Sequence, residues 1–209
     1  MRECIFCKEG SNFSYAKTFL GESWPYNNRI VFSDEYIFSV VGYGPQVDPY
    51  ILIIPYRHIN SMAEMDMNER QSFKNCLTFL SKEGRVGPHI CIFEHGGESA
   101  KGSSSIDHCH IHVIDAKWNL YDTIKWDYYV TLNDLDDLNS FNGKTYLLIG
   151  KYSFGEIQIK ITTDNINEHQ YFRKRLAEII GNNKWNWKEN LYRDSMIKIM
   201  QRFNPIEDT

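Results

Sequence analysis

His108, His110 and His112 alternate with Cys109, Ile111 and Val113. In a β-strand successive side chains point to opposite faces, so the three imidazoles share one face and the other set packs behind it. Three imidazoles on one face are costly to desolvate without partners. Three readings are open. The face is solvated and polar; or two of the histidines share one Zn²⁺ with ligands from elsewhere; or one is a nucleophile beside a loop that holds phosphate. The residues just before the triplet favour the last. Gly96, Gly97, Gly102, Ser103, Ser104 and Ser105 precede it. Glycine lets backbone N–H groups close on an anion, and serine hydroxyls add donors. Cys4 and Cys7 form a C-x-x-C pair, which in a reducing compartment reads as metal ligands or a redox couple. Cys76, Cys91 and Cys109 sit in apolar contexts and read as core thiols. His89 and His95 flank a strand and read as hydrogen-bonded structural residues.

These residues need elements to position them. Residues 29–33, 36–41, 50–55 and 89–94 are rich in β-branched and aromatic side chains and read as strands, with 106–114 strand-like again. The segment 42–49, GYGPQVDP, is a loop. Asp66, or nearby Ser61, can cap a helix over 66–83, with Met67, Phe73, Leu77 and Leu80 partly on one face and Gly84 ending it. Residues 145–151 and 156–163 alternate as a hairpin around Ser153, Phe154 and Gly155. Phe172, Leu176, Ile179 and Ile180 line one face of a helix over 168–180, closed by Gly181, and a last helix covers 190–203. Strands come first and helices are mostly segregated, so the expected class is α+β with an antiparallel sheet.

The chain has 209 residues, 23 basic against 27 acidic, for a net charge of −4. That balance excludes bulk affinity for nucleic acid or an anionic membrane. Hydrophobic content of 42% and charged content of 24% are those of a folded globular protein. No apolar run approaches the ~20 residues of a membrane helix. The start, MRECIFCKEG, shows no cleavage signal, so a cytoplasmic protein is expected. Five cysteines, an odd number, fit a disulfide framework poorly.

The triplet with its neighbours resembles the histidine-triad superfamily, whose signature is His-φ-His-φ-His-φ-φ with φ apolar. Here it reads His108-Cys109-His110-Ile111-His112-Val113-Ile114. The zinc-bearing branch is matched by CIFC at 4–7, by IPYRHI at 54–59, and by FEHGG at 93–97 where that branch has Asn-x-Gly. The resemblance implies an α+β histidine-triad fold over residues 1–115, with 116–209 as an extension packed on it. It implies His110 as the nucleophile that becomes nucleotidylated and His112 as a partner of the phosphate or leaving group. Cys4, Cys7, His58 and His108 would hold a structural zinc. Ser105, with Ser104 before it and Gly96 at the start of the loop, would bind phosphate. Two departures concern substrate choice: Gly42 stands where many members carry a ribose-binding Asp, and Glu94 falls in the Asn-x-Gly slot.

The expected function is therefore a nucleotidyl hydrolase acting on a nucleotide phosphoanhydride or phosphoramidate. A nucleotidyltransferase or phosphorylase, and a non-catalytic nucleotide-binding module, are the alternatives. A homodimer is possible, as in small members. Residues 167–204 carry eight basic and four acidic side chains. They form either a solvated helix face or a cap that reaches a polyphosphate leaving group. Arg173, flanking the core face with small Ala177 one turn on, is the cap's first candidate; Lys174 should point away.

Overall fold

The structure, a computed structural model, describes residues 4–97, 106–164 and 167–204. Eight strands form one antiparallel sheet: β1 (Ile30–Ser33), β2 (Ile37–Val41), β3 (Tyr50–Pro55), β4 (His89–Gly96), β5 (Ile111–Asp115), β6 (Val130–Leu132), β7 (Tyr146–Ser153) and β8 (Glu156–Thr162). Their order is β1-β2-β3-β5-β4-β7-β8-β6. β5, the strand that ends the triad, thus lies between β3 and β4, pairing His112 with Leu52 on one side and with Phe93 on the other. The C-terminal residues continue the sheet: β7 pairs with β4 from His89↔Ser153 to Gly96↔Tyr146.

Alternation along the central strands sorts side chains onto two covered faces. Ile51 and Ile53 of β3, Ile90 and Ile92 of β4, and Ile111 and Val113 of β5 point to one face. Helix α3 (Met67–Leu80) covers it with Phe73, Leu77 and Leu80, and α6 (Arg193–Phe203) adds Met196, Ile199 and Met200. Tyr50, Leu52, Cys91, Phe93 and Ile114 point the other way. There they meet Phe6 of α1 (Ile5–Ser11), Leu120 and Tyr121 of α4 (Leu120–Thr123), and Phe172 and Leu176 of α5 (Tyr171–Ile179). Apolar burial on both faces, at roughly 25 cal/mol per Å² removed from water, holds these layers together.

Local signals explain several boundaries. Asp66 caps α3 in a reciprocal box: the Glu69 N–H donates to Asp66 Oδ1 at 2.9 Å and the Asp66 N–H to Glu69 Oε2 at 2.8 Å. The expected strand over 106–114 begins only at Ile111. Its first residues leave the ladder because the Cys109 N–H donates to the Ile59 carbonyl and His108 turns toward α1. β4 runs two residues beyond the expected 94, since β7 continues to pair with it. The sequence pattern also missed two short N-terminal helices, α1 and α2 (Tyr15–Leu20), and the 3-10 segment Leu135–Phe141. Among the described residues no helix is long and apolar enough to cross a membrane.

Candidate active site

Cys4 caps α1 and Cys7 lies in its first turn, so the two thiols fall on one helical face. His58 follows β3, and His108 precedes β5. Cys4 Sγ lies 3.3 Å from His108 Nδ1; Cys7 Sγ lies 3.1 Å from His58 Nδ1 and 3.5 Å from His108 Nδ1. All four ligand atoms fall within 4.8 Å of one another. Tetrahedral zinc with ordinary Zn–S and Zn–N bonds places sulfur and nitrogen about 3.6 Å apart, so the donor set and its size fit the ion. The other His108 nitrogen, Nε2, donates to the Pro55 carbonyl at 2.9 Å, which turns Nδ1 toward the thiols. Burial lowers His108 to about 4, keeping it neutral as a ligand must be. Burial and the adjacent Cys4 push the Cys7 thiol up to about 11; a divalent cation held there would supply the charge needed to deprotonate the pair.

Two residues beyond this cluster, His110 Nδ1 lies 2.6 Å from the His108 carbonyl. A carbonyl only accepts, so Nδ1 holds the proton and Nε2 keeps a free lone pair. Burial holds His110 below the ordinary imidazole range, so it is neutral near pH 7. His112 Nδ1 lies 2.9 Å from the Tyr50 hydroxyl, and its ring stacks on Phe93 at 4.7 Å with 7° between planes. The rings of His110 and His112 are 5.1 Å apart and line one cavity. Tyr43, Phe93 and Trp187 give it aromatic walls, and His95 and Arg173 add polar groups. A neutral imidazole with an exposed lone pair, beside a second imidazole in an aromatic pocket, is suited to nucleophilic attack on an electrophile held against a flat ring system.

The family model of the HIT domain matches residues 26–118, spanning β1 to β5 with His58 and all three triad histidines. Residues 26–118 form a HIT domain. Among solved structures it resembles a HIT family hydrolase from Clostridium thermocellum at 18% identity, covering 55% of this chain and 91% of that one, TM-score 0.34. It also resembles a hypothetical histidine triad nucleotide-binding protein from Sulfolobus tokodaii at 17% identity, covering 99% of both, TM-score 0.37. A third likeness is to yeast Ap4A phosphorylase in complex with Ap4A, at 13% identity, covering 81% of this chain and 78% of that one, TM-score 0.44. No curated protein sequence matches the chain.

The two departures within the HIT domain have structural causes. A Cβ on Gly42 would lie 2.7 Å from the Tyr50 ring, so any side chain there collides with the residue that bonds His112. Glu94 faces away from the cavity. Its carboxylate accepts from the Met62 N–H at 2.9 Å, from Tyr146 Oη at 2.7 Å and from Cys109 Sγ at 3.1 Å. Gly96 packs on that same side, where a Cβ would come within 2.5 Å of the Tyr146 ring. Ser104 and Ser105 lie outside the described residues.

Helical spacing has Arg173 flanking the core face of α5; in the structure it is buried, 5% exposed, and lines the cavity. Its Nε donates to the Trp185 carbonyl at 2.7 Å and Nη2 to that of Gly44 at 2.6 Å. Ala177, expected to leave room for a ligand, is itself buried. Lys174 and Arg175 pair with Glu168, and Arg175 also with Glu178, on the outside. Sequence reasoning missed three cavity residues. Tyr50 reads as one more apolar strand position. His95 shares the cavity face with Phe93 only because β4 extends past Glu94. Trp187 arrives from a segment with no periodicity of its own.

Proposed function

We propose that the protein is a nucleotidyl hydrolase that works through a covalent nucleotidyl-His110 intermediate. The observation that carries this reading is the His110 proton held on Nδ1 by the His108 carbonyl, with Nε2 left to an aromatic cavity. In the first step the Nε2 lone pair forms a bond to the α-phosphorus. The bond from phosphorus to the leaving group breaks, and the leaving group takes the electron pair. Water then adds its oxygen to phosphorus, the P–N electron pair returns to Nε2, and the water proton passes to solvent. The His108 carbonyl accepts from the imidazole throughout and eases the positive charge it carries as an N-phosphoryl group. The aromatic walls suit the base, and His112 suits a phosphoryl oxygen. Cys4, Cys7, His58 and His108 would hold zinc, whose role there is to pin α1 to the strand that bears the nucleophile. A histidine at the third triad position supports water, rather than phosphate or a second nucleotide, as the acceptor.

The test is the intact mass of the protein mixed with dinucleoside polyphosphates and nucleoside phosphoramidates, with His110→Ala as control. The expected result is one added nucleotidyl mass on the wild type and none on the variant. Equal turnover by both proteins, or neither adduct nor turnover across the panel, overturns the reading.

A further inference from the structure

Among the described residues, the cavity around His110 and His112 is lined by no aspartate or glutamate and by one permanent cation, Arg173. The HIT domain contributes aromatic, apolar and histidine side chains to it, and the fixed charge comes from the C-terminal extension. That charge has no counter-ion. The other two buried arginines of the described residues each hold a carboxylate, Arg29 that of Glu9 and Arg70 that of Asp136. Lys174 and Arg175, beside Arg173 on α5, hold Glu168. Arg173 has only carbonyls: Nε donates to Trp185 at 2.7 Å and Nη2 to Gly44 at 2.6 Å. Of a guanidinium's five N–H donors these bonds use two; the other three meet no protein acceptor among the described residues. The backbone is held as well, since Gln46 Nε2 donates to the Arg173 carbonyl at 2.9 Å. A buried cation without a partner is unfavourable, yet this one is fixed in place and borders the cavity. Strand register sets it apart from the nucleophile. On β3, Leu52 lies opposite His112 and Tyr50 opposite Ile114, so Tyr50 is two positions past His112 in the direction away from His110. Tyr50 leans back until its hydroxyl meets His112 Nδ1 at 2.9 Å, and the Arg173 guanidinium stands over its ring, 5.4 Å from the centroid.

We propose that Arg173 forms a subsite for a second phosphate of the substrate, set apart from the phosphorus that His110 attacks, and that the cavity thereby selects nucleotides carrying two phosphate groups over those carrying one. This rests on the reading of the cavity as a nucleotide site, and not on the covalent step at His110. A phosphate seated against His110 occupies the near end of the cavity and leaves the guanidinium, beyond His112, to another anion. The second phosphate is either the next group of a 5′ chain or an ester on the 2′ or 3′ hydroxyl; both present the same oxyanion to the same fork. A guanidinium already fixed by two carbonyls loses little freedom on binding it, and its planar donors match phosphate oxygens in pairs. In a cavity with aromatic walls and no acidic lining residue, nothing competes with that anion for the charge. Hydrogen bonds to a charged group of this kind raise affinity by about 10- to 100-fold. The subsite is composite. Arg173 and Trp185 belong to the extension and Gly44 to the HIT domain, so it exists only while the two are docked.

The test is calorimetric titration of the full-length, zinc-loaded protein with nucleoside 5′-monophosphates, 5′-diphosphates, and 2′,5′- and 3′,5′-bisphosphates of the four common bases. For the preferred base, one of the doubly phosphorylated forms should bind about 10-fold or more tighter than the monophosphate. The form that gains identifies the source: the diphosphate places the second phosphate in the chain, and a bisphosphate places it on the sugar. In Arg173→Met the ratio of the two affinities should fall toward one, whatever happens to the absolute values, and Arg173→Lys should keep part of it. A wild type that gains nothing from any second phosphate overturns the subsite whether or not a variant folds. A ratio unchanged in Arg173→Met, including an equal loss for both ligands, also overturns it and leaves Arg173 as a structural link between Trp185 and Gly44. If no nucleotide of the panel binds, the nucleotide reading of the cavity fails and the subsite with it. If the Arg173-dependent ratio is found but no nucleotidyl-His110 adduct forms, the hydrolase reading fails and the subsite is upheld.

Discussion

Glu94 offers a quantitative check on how the triad strand is supported from behind. Its carboxyl is buried among Met62, Tyr146 and Cys109. Burial raises it from 4.5 to about 7, against the pull of its three hydrogen bonds. A raised folded pKa means the native state binds the proton more tightly than the unfolded chain. Stability from this group is thus fully present below pH 4.5, falls as pH rises toward 7, and is flat above it. At about 1.4 kcal/mol per pH unit, the folded protein should lose roughly 2.5 kcal/mol between pH 5 and pH 8 through Glu94 alone. Glu94→Gln removes the titration and keeps the shape. Urea unfolding of zinc-loaded wild type and variant at pH 5, 6, 7 and 8 isolates the term, because other titrating groups cancel in the difference. The stability of Glu94→Gln relative to wild type should rise by roughly 2.5 kcal/mol over that range. A difference that stays constant with pH would mean that the carboxyl keeps one protonation state throughout, and would refute the assignment of a buried, proton-binding Glu94.

Three further outcomes follow from the same geometry. Purified protein should contain one zinc per chain by elemental analysis; Cys4→Ser should lower zinc content and melting temperature together, and unchanged zinc would remove Cys4 from the site. His110→Ala should abolish turnover while retaining zinc and the circular dichroism of the wild type, because no other residue presents the same lone pair; residual turnover above a few per cent would point to a different nucleophile. The fully buried pair Arg29–Glu9, at 2.6 and 2.8 Å, joins α1 to the start of the sheet. Glu9→Gln should cost about 3–5 kcal/mol in urea unfolding by leaving the guanidinium without a counter-charge, whereas a loss below about 1 kcal/mol would show that the Tyr43 ring and the Val41 carbonyl suffice.

How much of this was legible in the sequence depends on how local each signal is. The alternation of His108, His110 and His112 with apolar residues is local, and it identified the triad although only His112 lies within the β5 ladder. The helix start is a local signal too: Asp66 and Ser61 were both candidates in the sequence, and Asp66 is the cap of α3. The hairpin from Tyr146 to Thr162 was readable from alternation around Gly155. What joins distant segments was not readable from pattern. The insertion of β5 between β3 and β4 is a long-range choice, and the meeting of Cys4 and Cys7 with His58 and His108 was reached only through resemblance to a family. Arg173 shows the limit most clearly. Helical spacing put it on the rim of α5, and the segment around Trp185 turned that rim into interior.

The last prediction concerns residues 1–115 as a fragment. Every residue of β4, from His89 to Gly96, pairs with β7, which lies beyond that boundary. Removing residues 116–209 turns this central strand into a long exposed edge carrying Ile90, Ile92 and Phe93, the kind of edge that pairs with other chains. Tyr146 also leaves, and with it a hydrogen bond to Glu94 and the acceptor of the Ala63 N–H. Those buried groups left unsatisfied cost about 1–3 kcal/mol each. Phe172 and Leu176 no longer cover the face that holds His112, nor Met196, Ile199 and Met200 the opposite face. Set against a typical total stability of about 5–15 kcal/mol, these losses exceed what the fragment can absorb. The fragment should therefore be insoluble or unfolded by circular dichroism even with zinc supplied. Adding residues 116–209 as a separate chain should recover soluble material only where the two associate. A soluble, cooperatively folding 1–115 fragment that binds zinc would refute this. It would mean that the first five strands make a complete sheet, and that the extension contributes to the cavity through Arg173 and Trp187 rather than to folding.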